Sequence, residues 1–268
     1  MIRRTAAGFT LAVVLAGCAP SASGTPASPP SSPPSSAPVS PKASVPSSSQ
    51  PATLPQGSDV VELDPADFAG VPIDHPFWPM TPGSTWTYRE TDAEGTEQQV
   101  TVTVLPETKQ ILGITATVVH DLVSADGETI EDTIDWYAQD APGNLWYLGE
   151  DTKEYENGKV VSTAGSWEHG VDGAEAGIVV AAEPKQGLAY REEYYAGEAE
   201  DAAEVLSVDG KVQVPFGFFR DAMITRNYSG IEPKVEELKF YTKGVGPVLE
   251  LLVSGGSGRT ELLSYEEG

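Results

Sequence analysis

The sequence predicts an all-β domain, an antiparallel meander that closes into a barrel or half-barrel, preceded by a disordered stalk. From residue 60 onward, apolar and polar residues alternate in short runs rich in β-branched and aromatic side chains, which is the period of strands. Turn sequences separate these runs, as at 125–127 (ADG) and 156–158 (ENG), and they favour hairpins between antiparallel neighbours. A β-sandwich is the alternative, because stacked sheets also hide apolar strand faces.

The pattern predicts roughly twelve strands along this domain. The clearest of them are 84–90, 98–105, 111–123 and 129–138. Further candidates are 188–195, 222–228, 236–243, 248–253 and 260–265. One segment, 197–206 (GEAEDAAEVL), predicts a short helix instead, because alanines follow acidic residues near its start.

Residues 1–17 predict a lipoprotein signal peptide. Arg3 and Arg4 precede an apolar stretch, 5–17, that has the length of a secretory core and is too short to span a bilayer. It ends in Leu15, Ala16, Gly17 and Cys18, which resembles the lipobox of bacterial lipoproteins. The resemblance implies cleavage before Cys18 and lipidation of its sulfur. We therefore expect a lipid anchor on the outer face of the cytoplasmic membrane.

Residues 18–57 predict the lipidated cysteine followed by a stalk. Between residues 19 and 57 there are 11 prolines, 12 serines and no aromatic residue, so this segment has little apolar surface to bury. The remaining residues, 58–268, are then a single acidic β-rich domain.

Charge and motifs exclude several classes of function. The whole chain has a net charge of −24, and residues 58–268 alone carry −27, so we expect no nucleic-acid partner. One cysteine supplies neither an internal disulfide nor a multi-cysteine metal site. The sequence contains no G-x-S-x-G, phosphate-loop or H-E-x-x-H motif, so we predict no catalytic residue.

Aromatic residues are the candidates for ligand binding, because on the interior of a barrel they would line a cavity. In the alternative interpretation they simply fill the core. The candidates are Trp136, Trp146, Tyr147, Trp167, Tyr190 and Tyr194.

A glycine-rich loop, 165–173 (GSWEHGVDG), is the candidate cation site. Glu168 and Asp172 supply the oxygen ligands that calcium prefers, although the spacing matches no EF-hand. The alternative is a turn anchored by a buried Trp167. No other cofactor is expected.

Acidic residues cluster in two places, and paired carboxylates can perform glycosidase chemistry when they face each other. In a domain this acidic, a solvated face is the alternative interpretation. The clusters are Glu128, Glu131, Asp132 and Asp135, then Glu192, Glu193, Glu198, Glu200 and Asp201.

Four segments, 136–140 (WYAQD), 143–150 (GNLWYLGE), 165–173 and 239–246 (KFYTKGVG), resemble a family of exported bacterial proteins, often actinobacterial lipoproteins. The resemblance covers most of residues 77–266 and implies no activity or catalytic residue. We therefore expect an anchored, non-enzymatic module that binds a small molecule, an envelope component or a protein. The alternatives are a carboxylate-based hydrolase of the cell envelope and a calcium-dependent adhesion or structural lipoprotein.

Overall fold

The computed structural model describes residues 54–268. The predicted signal peptide lies outside the described residues, as do residues 18–53, which comprise Cys18 and most of the predicted stalk. Between residues 54 and 268, no helix has the length and apolarity that crossing a bilayer requires.

Over residues 54–268 the chain forms one short 3-10 helix, Pro65–Asp67, and fifteen strands. The strands are β1 (Thr85–Thr91), β2 (Glu97–Ile111), β3 (Ile114–Ala125), β4 (Glu128–Gln139), β5 (Leu145–Glu156), β6 (Lys159–Ser162), β7 (Trp167–Glu168), β8 (Glu175–Val180), β9 (Ala189–Arg191), β10 (Glu193–Tyr194), β11 (Asp201–Val214), β12 (Gly217–Ser229), β13 (Glu236–Thr242), β14 (Gly246–Ser254) and β15 (Gly258–Glu266).

The strands form one antiparallel sheet in the order β10-β8-β5-β4-β3-β2-β1-β15-β14-β13-β12-β11-β9, and β6 and β7 pair with β5. The two ends of this path are consecutive in the chain, because only Glu192 separates β9 from β10. β9 pairs with β11 while β10 pairs with β8, so this segment, which we call the seam, brings the two ends of the sheet together. The result is a nearly closed barrel, which confirms the predicted all-β fold.

The predicted helix at 197–206 is wrong, because most of it belongs to β11. That strand pairs with β12 along its whole length, and this long ladder outweighs the local preference of alanine for helix.

The predicted strand 111–123 begins too early, because only its residues 114–123 belong to β3. β2 ends at Ile111, and Leu112 and Gly113 form a two-residue turn at φ values of 47° and 89°. A leucine seldom occupies this left-handed region, so Gly113 is the one residue of the turn that signals it in the sequence.

The N-terminal segment 54–82 packs at one rim of the barrel. The indole of Trp78 packs on Tyr137 and Tyr241, with ring centroids 5.6 and 6.2 Å away. Two backbone hydrogen bonds tie the segment to hairpin turns at this rim, from Gly244 N–H to Pro76 O and from Ala141 N–H to Asp67 O. We call this end the plugged rim.

Arg191 on the seam holds the start of the described chain. Its backbone N–H donates to Pro55 O, and its guanidinium donates to the carbonyls of Gly57, Asp59 and Ala176. Residues 54–57, expected in the stalk, therefore contact the barrel.

The opposite end of the barrel is formed by the turns 92–96, 126–127, 157–158, 230–235 and 255–257. We call it the acidic rim, because the interior positions nearest to it carry carboxylates. The interior of the barrel therefore changes character between its two ends.

Candidate functional site

Strand β4 shows how the interior changes along the barrel. Its alternation places Tyr137, Asp135, Thr133 and Glu131 on one face, in order from the plugged rim to the acidic rim. β5 matches them position by position: Tyr147 with Tyr137, Glu150 with Asp135, Thr152 with Thr133 and Glu154 with Glu131. The register shifts once, beside Gly149. A side chain at Gly149 would collide with the backbone of Trp167 on β7, so the close crossing there requires a glycine.

Hydrogen bonds connect this wall. Tyr147 Oη donates to Asp135 Oδ1 at 2.7 Å, and Thr152 Oγ1 donates to Glu150 Oε2 at 2.9 Å. The hydroxyls of Thr133 and Thr152 are 3.0 Å apart. The stacked rings of Tyr137 and Tyr147 lie nearer the plugged rim than these hydroxyls, with centroids 4.8 Å apart.

Acidic side chains from most strands of the barrel converge on this interior. Among the described residues, the basic side chain that lies with these acids is Lys239, whose Nζ is 3.9 Å from Glu250 Oε2. The acidic side chains are Glu90, Asp121, Glu131, Asp135, Glu150, Glu154, Glu192, Glu193, Asp201, Glu237 and Glu250.

Burial and mutual repulsion raise the pKa values of several of these carboxyls. Burial is the main reason that the pKa values of Glu131, Asp135 and Asp201 rise to about 7. The pKa of Asp121 rises well above its usual range because of burial and then the charge of Asp135. Burial alone would lower the pKa of Lys239. The charges of Glu250 and other carboxylates outweigh this effect and raise the pKa well above its usual range, so the ammonium stays charged.

A cavity of about 20 Å³ lies where the aromatic and acidic parts of the interior meet. This volume accommodates one or two water molecules. The lining residues are Trp78, Tyr137, Tyr147, Val179, Glu192, Glu193, Asp201, Lys239 and Tyr241.

Two hydrogen bonds orient the carboxylates of the seam beside this cavity. Trp167 Nε1 donates to Glu193 Oε2, and Asn227 Nδ2 donates to Glu192 Oε2, each at 2.7 Å. Because Trp167 and Asn227 come from β7 and β12, both sides of the seam fix these groups.

A second, smaller cavity shares Asp201 and Lys239 with the first. It also touches Ser229, the last residue of β12, and Val235 in the turn that follows at the acidic rim. The two cavities are therefore neighbours in the interior, and the second lies nearer the acidic rim.

Some carboxylate oxygens of the interior lack a hydrogen-bond donor. Among the described residues, no partner is found for Asp121 Oδ1, Glu150 Oε1 or Asp201 Oδ1. An unsatisfied buried acceptor costs free energy, so these oxygens favour a proton, a water molecule or a cationic donor beside them.

Three of the six predicted ligand-binding aromatics lie at or beside the inner cavity. Tyr147 lines it, and Trp167 packs edge-on against Tyr147 at 5.3 Å. Tyr190 is buried on β9 of the seam, where burial and then the charge of Glu192 raise its pKa.

The other three aromatic candidates do not line the cavity. Trp136 faces the outside of the barrel, with Lys109 Nζ 3.1 Å from its ring centroid. Trp146 donates from Nε1 to Asp140 Oδ2 at the plugged rim. Tyr194 is half-buried on β10.

The two predicted calcium ligands lie apart from this interior. Glu168 Oε2 accepts a hydrogen bond from Lys109 Nζ at 2.7 Å, and Asp172 is exposed in a turn. Over residues 54–268, no three His, Cys, Asp or Glu side chains are placed to hold a metal ion. Calcium binding stays a prediction.

The structure divides the predicted acidic clusters between inside and outside. Glu131 and Asp135 face the interior, whereas Asp132 faces outward and pairs with His120 at 2.9 Å. In the second cluster, Glu192, Glu193 and Asp201 line the inner cavity. The remaining members are exposed or half-buried outside it: Glu128, Glu198 and Glu200.

Sequence reasoning missed Trp78, Lys239 and Tyr241 as cavity residues. The alternation of 236–242 (EELKFYT) places Lys239 and Tyr241 on one face of a strand. That signal was readable, but it does not tell which face of the strand turns inward.

Two solved structures resemble this fold. One, from Bacteroides fragilis, is provisionally described as an exported protein with a YmcC-like fold; it is 13% identical with a TM-score of 0.45, and the match covers 71% of this chain and 99% of that chain. The other, from Parabacteroides distasonis, is provisionally described as a lipoprotein; it is 12% identical with a TM-score of 0.40, and the match covers 72% and 99%. No family model and no curated protein matches the chain. The resemblance to an actinobacterial family therefore stays a prediction.

Proposed function

We propose that this protein is a lipid-anchored extracytoplasmic lipoprotein and that its barrel is a non-enzymatic binding module for a small organic cation with an ammonium head group. One observation carries the ligand class. Aromatic rings and the carboxylates of Glu193 and Asp201 meet at one interior cavity. In the barrel around this cavity, acidic side chains far outnumber the basic side chain of Lys239.

The aromatic and acidic parts of the cavity suit an ammonium group, and its three carboxyls outnumber the one ammonium of Lys239. The faces of aromatic rings attract cations, and carboxylates accept short hydrogen bonds from N–H donors. The surplus of interior carboxylates repels anionic ligands. The cavity holds only one or two waters, so it fits the head group of such a ligand and not a sugar ring.

The size of the cavity also separates this proposal from a carboxylate-based hydrolase. Glu193 and Asp201 line the same cavity, as paired catalytic acids would. A glycosidase must also admit the sugar on either side of the bond that it cleaves. We therefore favour binding over hydrolysis.

Titration of the full chain with methylammonium chloride tests the ligand class. We expect saturable binding to the wild type, and at least about tenfold weaker binding to Asp201→Asn, because the substitution removes a carboxylate from the cavity. Asp132→Asn is the matched control, since Asp132 pairs with His120 on the outer face. A constant ionic strength excludes screening effects. Equal affinities for the wild type and Asp201→Asn would contradict the proposal, as would no binding to the wild type.

The anchor is supported by the segment Leu15, Ala16, Gly17 and Cys18 after an apolar stretch. We expect the exported wild type in the membrane fraction, with the mass of a diacylglyceryl group on Cys18. Cys18→Ser should shift the protein to the soluble fraction, because the modified sulfur is lost. An unchanged distribution between the two fractions would disprove the anchor.

A further inference from the structure

We propose, on the basis of the proposed function, that the barrel exchanges a proton for a cation: the ammonium group of the ligand takes the place of a proton held between Asp201 and Glu193. The affinity for the ligand then rises with pH. The inference rests on the charges that face the cavity and on the hydrogen bonds that are already made there.

One side of the interior carries mainly acidic side chains. β1, β3, β4 and β5 contribute Glu90, Asp121, Glu131, Asp135, Glu150 and Glu154. Several carboxylates in a low-dielectric interior cannot all remain ionised unless cations compensate them. This side therefore holds protons at neutral pH and supplies no positive charge to the cavity.

The other side carries Glu192, Glu193, Asp201, Glu237 and Glu250, together with Lys239. One ammonium group does not neutralise five carboxylates, and it lies 3.9 Å from Glu250. Protons must therefore also occupy this side when no ligand is bound.

Asp201 and Glu193 are the pair from which a proton is displaced. Glu193 Oε2 already accepts from Trp167, and Glu192 Oε2 accepts from Asn227. Asp201 Oδ1 has no hydrogen-bond donor among the described residues, and Asp201 borders both cavities. Burial raises the pKa values of both Asp201 and Glu193, and the charge of Asp201 raises that of Glu193 further.

The exchange balances without another reactant. The protonated carboxyl releases its proton to solvent and becomes a carboxylate, and the ammonium group, which keeps all its protons, donates N–H bonds to that carboxylate. The net charge of the interior does not change. The ligand therefore avoids the penalty of adding a charge to a buried site.

The interior tyrosines do not supply the exchanged proton. Burial raises the pKa values of all of them above 10, so they stay protonated during the exchange. These residues are Tyr88, Tyr137, Tyr147, Tyr190 and Tyr241.

Calorimetry of the full chain with methylammonium chloride tests the exchange. At pH 6, we compare the heats of binding in phosphate and in 2-(N-morpholino)ethanesulfonate, two buffers with different heats of ionisation; at pH 8, 4-(2-hydroxyethyl)piperazine-1-ethanesulfonate replaces the latter. The difference gives the number of protons released, which we expect to be about one at pH 6 and to approach zero at pH 8. The affinity should rise by up to about tenfold per pH unit between pH 5 and 7.

Two variants test which carboxyl releases the proton. The possible outcomes also distinguish the proton exchange from ligand binding itself. Asp201→Asn should release less than half as many protons as the wild type, whereas Asp132→Asn should release the wild-type number. Binding without proton release by the wild type overturns the exchange and leaves the proposed function intact. No binding to the wild type overturns the proposed function. If Asp201→Asn does not fold, the wild-type proton numbers at pH 6 and pH 8 decide.

Discussion

We expect the folded domain to lose stability as the pH rises from about 5 to 8. Glu131, Asp135 and Asp201 have pKa values of about 7 in the folded state, well above those of exposed carboxyls. Between the two values the folded chain binds more protons than the unfolded chain, so the free energy of unfolding falls as the pH rises. For one such carboxyl the loss is on the order of 4 kcal/mol over the whole interval between the two pKa values, and about 3 kcal/mol of it falls above pH 5.

Thermal melts at pH 5, 6, 7 and 8 and constant ionic strength measure this effect. The melting temperature should be highest at pH 5, and Asp201→Asn should flatten the profile because it removes one of the responsible groups. Saturating methylammonium should raise the melting temperature most at pH 8, where the carboxylates need a counter-ion. A melting temperature that increases steadily with pH would be incompatible with protonated interior carboxyls.

The second large effect is expected for Arg191→Met, which we predict to lower the free energy of unfolding by about 3 kcal/mol. The guanidinium donates to the carbonyls of Gly57, Asp59 and Ala176, and the side chain is 1% exposed. Methionine fills much of the same space but leaves three carbonyls without their charged donor.

Urea unfolding of the full chain measures this loss. Arg226→Met is the control, because Arg226 pairs at the surface with Glu204 and Glu236, and it should cost less than about 1 kcal/mol. Limited proteolysis should also cut the segment 54–61 faster in Arg191→Met than in the control. Equal stability of the two variants would mean that Arg191 does not hold this segment.

The strands of the barrel were readable from the sequence, because alternation and turn residues are local signals. The exceptions have physical causes. At Leu112 the turn uses a residue that rarely adopts positive φ, and at 201–206 the pairing of β11 with β12 overrides the helix preference of alanine. Neither conformation follows from local preference.

The candidate site was readable only in part, because it depends on which strand faces turn inward. The sequence singled out Glu193 and Asp201 among its acidic clusters and Tyr147 among its aromatics. It also grouped Trp136 with Tyr147 as candidates for ligand binding, although the two side chains lie on opposite sides of the barrel wall. Acidic alternation normally indicates a solvated face, so a barrel that turns its acids inward contradicts the usual pattern.

The attachment of the chain's N-terminal side at Arg191 has a mechanical consequence. A force applied through Leu54 and Pro55 is transmitted to β9, the three-residue ladder of the seam, before it reaches any longer ladder of the barrel. The next residues along the chain are Glu192 and Glu193, which border the inner cavity. Tension between the proposed lipid anchor and an immobilised domain would thus load a short ladder of the barrel and the inner cavity together.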